Sequence, residues 1–179
     1  MASIKNLVSQ TAVYGLSSII GRFLNYLLVP LYTYTFVTAE YGIVTEFYAY
    51  VVVLQIMLTY GMETGFFRFS EKYKNFNTVF TTILTSILST STFFIVLVIV
   101  FSKQISSLIG YPDHTDYIII FALILGIDAI TAIFFAKLRK QNKAKKFAIF
   151  KIINISLNIS FNLFFILLCP ILEQKGFSF

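Results

Sequence analysis

Five apolar runs, each about twenty residues or longer, take up most of the chain and leave little between them. They cover residues 8–36, 41–67, 78–101, 117–136 and 147–168. Roughly 20 apolar residues in a helix cross the ~30 Å hydrocarbon core of a bilayer. The connections are too short for a soluble domain, so the expected fold is all-α, a polytopic transmembrane helix bundle of five spans. Composition agrees: 58% of residues are hydrophobic and only 12% charged, about half the charged share of a soluble domain.

The net charge of +6 does not indicate nucleic acid. Such binding needs a basic face on a folded domain, and here the basic residues fall between apolar runs. Lys5 precedes the first run. Arg68, Lys72 and Lys74 follow the second, and Lys137, Arg139, Lys140, Lys143, Lys145 and Lys146 follow the fourth. The alternate connections hold Lys103 and Lys175 with Glu40, Asp113, Asp116 and Glu173. By the positive-inside rule the N-terminus is cytoplasmic and the C-terminal end outside. Arg22 interrupts the first run and no small-residue cleavage site follows, so that run reads as a retained span rather than a signal peptide.

The spans are not uniformly apolar. Ionisable groups at membrane depth are costly and usually face a protein interior or a wet cavity. Span one carries Arg22 near its centre, on a face with Thr11, Ser18, Asn25 and Tyr32. At 1.5 Å per residue it would run about 43 Å, so it must tilt, bend or protrude, and Pro30 offers a bend. Span two carries Glu46, Gln55, Glu63 and a terminal Arg68, with Gly61 and Gly65 as a close-packing pair. Treated as one continuous helix, Glu63 faces away from Arg68 and toward another span, with Lys151 the expected partner. Span three has a stripe of Thr78, Thr82, Thr85, Ser89 and Thr92, residues that bond their own backbone or help helices pack. Span four carries Asp128, at a depth suited to Arg22. Span five aligns Lys151, Asn154, Asn158 and Asn162 on one narrow face. For these groups two readings stand: a lining for cargo, or ion pairs and amide contacts that hold helices together.

Nothing in the chain points to catalysis or a cofactor. His114, in an Asp-His-x-Asp turn, reads as solvated rather than metal-binding, and no phosphate loop, nucleophile elbow or paired zinc motif occurs. Cys169 is the single cysteine, which excludes an internal disulfide.

Three stretches carry a resemblance: GRFLNYLLVPLYTYTFVTAEYG in the first span, LTYGMETGFFRF closing the second, and LRKQNKAKKFAIFKIINISLNISFNLFFILLCP around the fifth. Together they resemble the polysaccharide flippases, O-antigen and lipopolysaccharide type, of the multidrug/oligosaccharidyl-lipid/polysaccharide exporter superfamily. The resemblance implies a protein of the bacterial inner membrane, built from two six-helix lobes, that moves lipid-diphosphate-linked oligosaccharide outward by alternating access. Residues 1–179 would then be part of the N-terminal lobe, its partners being that substrate, membrane lipids and a C-terminal lobe. Arg22 and Arg68 would attract the diphosphate, with Lys151, Asn154, Asn158 and Asn162 as further cavity candidates. Glu63 and Asp128 would be ion-coupling candidates. A multidrug or small-cation exporter of the same superfamily, or a scaffold subunit of a glycan-assembly complex, are the alternatives.

Overall fold

A computed structural model describes residues 2–73 and 75–169. Lys74, Glu173 and Lys175, counted above among the connecting charges, lie outside the described residues. The described residues contain helices and no strand: α1 (Ala2–Tyr26), α2 (Val29–Thr35), α3 (Thr38–Thr59), α4 (Met62–Lys72), α5 (Phe76–Val100), α6 (Ser102–Leu108), α7 (Thr115–Lys140) and α8 (Ala144–Leu163), the last continuing as a π-helical turn, Phe164–Leu168. Five stretches are long and apolar enough to cross a membrane: Thr11–Thr35, Thr38–Lys72, Phe76–Val100, Thr115–Lys140 and Ala144–Leu167. No more than 33% of any of these is buried within the chain. Apolar surface so extensive is untenable in water and suits hydrocarbon.

The first span is interrupted just ahead of Pro30, where a bend was expected. α1 stops at Tyr26, Leu28 N–H bonds Asn25 O at 3.1 Å, and α2 restarts with Pro30 in its first turn. Proline fits there because first-turn N–H groups lack helical partners anyway. Span two departs from the expected single helix. Tyr60 and Gly61 adopt positive φ, 33° and 70°, so α3 ends and α4 begins on a new axis. The 22 residues of α3 extend about 33 Å, enough to cross the hydrocarbon. α4 carries acidic, basic and apolar residues on different faces, Glu63 and Arg68 among them. The Gly61–Gly65 pair makes no helix seam: nothing approaches Gly61 within 4 Å, and Gly65 meets only Phe69 of its own helix.

The described chain forms two compact units. One comprises Met1–Val44 and Gln141–Phe179, the other Thr45–Lys140. In the first unit α1 packs on α8. A Cβ on Gly21 would stand 2.7 Å from Ile155 Cδ1, so glycine is what allows this approach, and Tyr14 meets Phe147 edge-on at 5.0 Å.

In the second unit α5 packs against α7. The buried stripe of α7, Ile118, Ala122, Leu125, Gly126, Ala129, Ile133 and Ala136, recurs at three- and four-residue steps. Its small members bring the backbones together, as lipid-embedded helices require in the absence of a hydrophobic drive. Phe66 of α4 is fully buried in the same core beside Phe80, Ile83 and Ile87. The Thr/Ser stripe of α5 is exposed and takes no part in this packing.

Candidate functional site

Three polar arrangements stand out, one in the first unit and two at opposite ends of the second.

In the first unit the expected amide stripe on α8 is partly assembled. Tyr32 O–H donates to Asn162 Oδ1 at 2.7 Å, and Asn162 Nδ2 donates to Asn158 O at 2.8 Å and to Asn158 Oδ1 at 3.2 Å. Tyr32 also faces Tyr41 and Phe36, with ring centroids 6.4 and 6.3 Å away. Asn154 is exposed on the same helix and Lys151 half-buried. Arg22 is exposed on α1, one residue from the Gly21–Ile155 contact, and enters no ion pair among the described residues. Asp128 lies on an exposed face of α7.

At the α4 end of the second unit, charge and aromatic rings interleave. Glu63 pairs with Arg139 in the last turn of α7, where continuous-helix phasing pointed to Lys151. The break at Tyr60–Gly61 rotates Glu63 out of that phase and presents it to α7. Glu71 accepts from Lys140 Nζ at 3.0 Å. Lys137 Nζ sits 3.7 Å from the Phe80 ring centroid, and the Arg139 guanidinium 5.5 Å from that of Phe67. The run 137–146 read as a loop is mostly helix: α7 continues to Lys140 and α8 starts at Ala144. Lys137, Arg139 and Lys140 accordingly complement the negative C-terminal end of the α7 dipole. Arg68 is exposed on α4. Charges here tie α4 to α7.

The opposite end holds a cluster that sequence reasoning missed. Glu46 Oε1 accepts from Tyr50 O–H at 2.9 Å and Oε2 from Tyr111 O–H at 2.8 Å. The Glu46–Tyr50 spacing of four was available as a same-face signal; Tyr111 comes from 65 residues away. Local chemistry explains its position. α6 ends in a Schellman turn, with Gly110 at φ 84°, Gly110 N–H on Ser107 O and Tyr111 N–H on Ser106 O. Ser106, fully buried, also donates its hydroxyl to Tyr111 O, and Pro112 discourages further helix. Hydrogen bonding to Glu46, then desolvation and the nearby negative charge, raise the Tyr111 phenol above its ordinary value of 10.0. His114 stacks on Tyr117 at 4.5 Å.

No curated protein and no solved structure matches the chain. A family model described as polysaccharide biosynthesis protein matches residues 36–170, from the end of α2 through α8. With that match over three quarters of its length, and five helices suited to a bilayer, the chain is a membrane protein that belongs to the polysaccharide biosynthesis protein family.

Proposed function

We infer that the chain is the N-terminal part of a flippase that moves lipid-diphosphate-linked oligosaccharide outward across the bacterial inner membrane by alternating access. The observation that carries this reading is the family match on a chain of five spans whose polar groups suit such a cargo. Diphosphate is dianionic or more, and Arg22 on α1 and Arg68 on α4, both exposed, are cations able to attract it. Sugar hydroxyls suit the amides of Asn154, Asn158 and Asn162, and Lys151 adds a cation on the same helix. Glu63 and Asp128 are the carboxylates proposed for ion coupling, with Glu63–Arg139 as a pair that protonation would release. The N-terminus and the α4 end are assigned to the cytoplasm from the basic residues there, and a C-terminal lobe would complete the transport path. The role proposed is transport, not catalysis.

The test replaces Arg22 in the whole parent protein in cells. Arg22→Ala is expected to leave lipid-linked oligosaccharide on the cytoplasmic leaflet and deplete surface polysaccharide, with Arg22→Lys retaining part of the export. Normal surface polysaccharide in Arg22→Ala at normal protein level removes the diphosphate-binding role. The scaffold alternative draws support from the Glu63–Arg139 and Glu71–Lys140 contacts, which serve packing equally well. It predicts that charge-neutral replacements at Arg22 and Arg68 leave export intact while loss of α4 docking does not.

A further inference from the structure

A cavity of about 450 Å³ lies between α3, α5, α6 and α7, and Tyr50, which donates to Glu46, is part of its lining. All its lining residues belong to the second unit, among them Phe47, Tyr50, Val53, Leu97, Phe121 and Leu125. Its volume falls in the range of small-molecule sites. Apart from the Tyr50 hydroxyl, the lining offers no side-chain hydrogen-bonding group, and water does not fill a cavity without two or more polar partners. It opens sideways, because Tyr50, Val53 and Leu97 are each at least 40% exposed on helices that cross the membrane. The molecule with ready lateral access is an extended hydrocarbon chain.

The mouth selects the headgroup. Glu46 presents a carboxylate held by two phenols, and the adjoining turn adds Asp113 and the start of α7 Asp116, against Lys103 on α6. That end of the unit is net negative. A phosphatidylglycerol-type headgroup would meet like charge there, whereas an ammonium meets the carboxylate and the tyrosine faces, which favour cations. We propose that this cavity binds one acyl chain of a membrane aminophospholipid, whose ammonium group is read by Glu46 at the mouth. The site is independent of the transport reading, since it uses neither Arg22, Arg68 nor the α8 amides.

The chain contains no tryptophan, so a single introduced one reports its own surroundings. Phe121→Trp places the probe in the cavity, where Phe121 stacks on Phe47 at 4.7 Å. Phe93→Trp, at a position 69% exposed on α5, reports bulk lipid. Each variant is reconstituted in equimolar phosphatidylethanolamine and phosphatidylglycerol vesicles, with brominated acyl chains on one lipid or the other. Fluorescence of the Phe93→Trp variant should be quenched equally in both. That of the Phe121→Trp variant should be quenched about two- to fivefold more by brominated phosphatidylethanolamine, the preference a partly exposed ammonium–carboxylate pair supports. Adding Glu46→Gln, which keeps size but removes the charge and leaves one acceptor oxygen for the two phenols, should equalise the two lipids. Three results overturn the proposal: no quenching of the cavity probe by either lipid, as when a protein segment fills the cavity; equal quenching by both with Glu46 intact; or a preference that survives Glu46→Gln.

Discussion

Gly126 is where the α5–α7 seam can be tested with a number. A Cβ built there would stand 2.5 Å from Ile95 Cδ1, 3.1 Å from Ile95 Cγ1 and 3.8 Å from Ser91 Cβ. Two effects oppose one another in Gly126→Ala. Alanine is favoured over glycine in a helix interior by about 0.5–1 kcal/mol, while overpacking a close-packed seam costs about 1–3 kcal/mol. The closest atom is the tip of a flexible side chain, so Ile95 can swing aside and the clash should fall in the lower half of that range. The net expectation is destabilisation by about 1 kcal/mol. A leucine at the same position would extend into the α5 backbone and separate the helices.

Ile95→Val is the informative partner, because it deletes the Cδ1 atom that meets the new methyl. Alone it should cost about 0.5–1.5 kcal/mol. In combination with Gly126→Ala the two losses should fail to add, the double variant being more stable than their sum by about 1 kcal/mol. The assay is reversible unfolding in mixed micelles titrated with a denaturing detergent, run on all four proteins. Additivity within about 0.5 kcal/mol would refute the argument, for it would mean that residue 126 and Ile95 do not touch.

The Glu63–Arg139 pair is 39% and 36% exposed at its two side chains, so screening limits it to about 1 kcal/mol or less. Glu63→Arg should weaken α4 docking, measured by protease cleavage near Tyr60–Gly61, and the swap Glu63→Arg with Arg139→Glu should restore protection. Because the Tyr111 phenol is raised above 10.0 by Glu46, its neutral form is favoured in the fold. That contribution is complete below pH 10.0 and is lost as pH rises through the folded value. Tyrosinate absorbance against pH should therefore show a late-titrating component whose amplitude falls in Tyr111→Phe, and an unchanged amplitude would contradict the Glu46 contact. Asn162→Leu removes the hydrogen bond from the Tyr32 hydroxyl and should destabilise the first unit by about 1 kcal/mol, read in the same detergent titration, and an unchanged midpoint would contradict that contact.

Span existence was legible in the sequence because about twenty apolar residues in a row have few physical alternatives. Pro30 was legible for the same kind of reason, a fixed φ and a missing donor. The phase of Glu63 was not. Counting about 100° per residue assumes an unbroken helix, and the positive φ of Tyr60 and Gly61 resets the count by an amount no periodicity encodes. The glycine pair at 61 and 65 misled for a related reason. Gly61 serves a turn rather than a seam, while the seams run through Gly21 and Gly126, whose small partners four residues earlier, Ser17 and Ala122, are a quieter signal than a second glycine.

Among the candidate site residues, the α8 amides were found because their spacing is local, and Asn158 and Asn162 do meet. Tyr111 could not be found that way. Its position depends on a Schellman turn at Gly110, a buried Ser106 hydroxyl and a carboxylate 65 residues earlier in the chain. Each device was visible singly, as a glycine, a serine and an unexplained acid in an apolar run. What joins them is energetic. A carboxylate at the edge of hydrocarbon needs donors, and the donors that leave the membrane's apolar character least disturbed are phenols, each an aromatic ring with one hydroxyl. In an apolar span, the search for an unpaired acid's partner therefore belongs among the tyrosines of the turns at the same depth, before the distant cations. By that rule Glu46 would have led to Tyr50 and Tyr111, and through Tyr50 to the cavity it helps line.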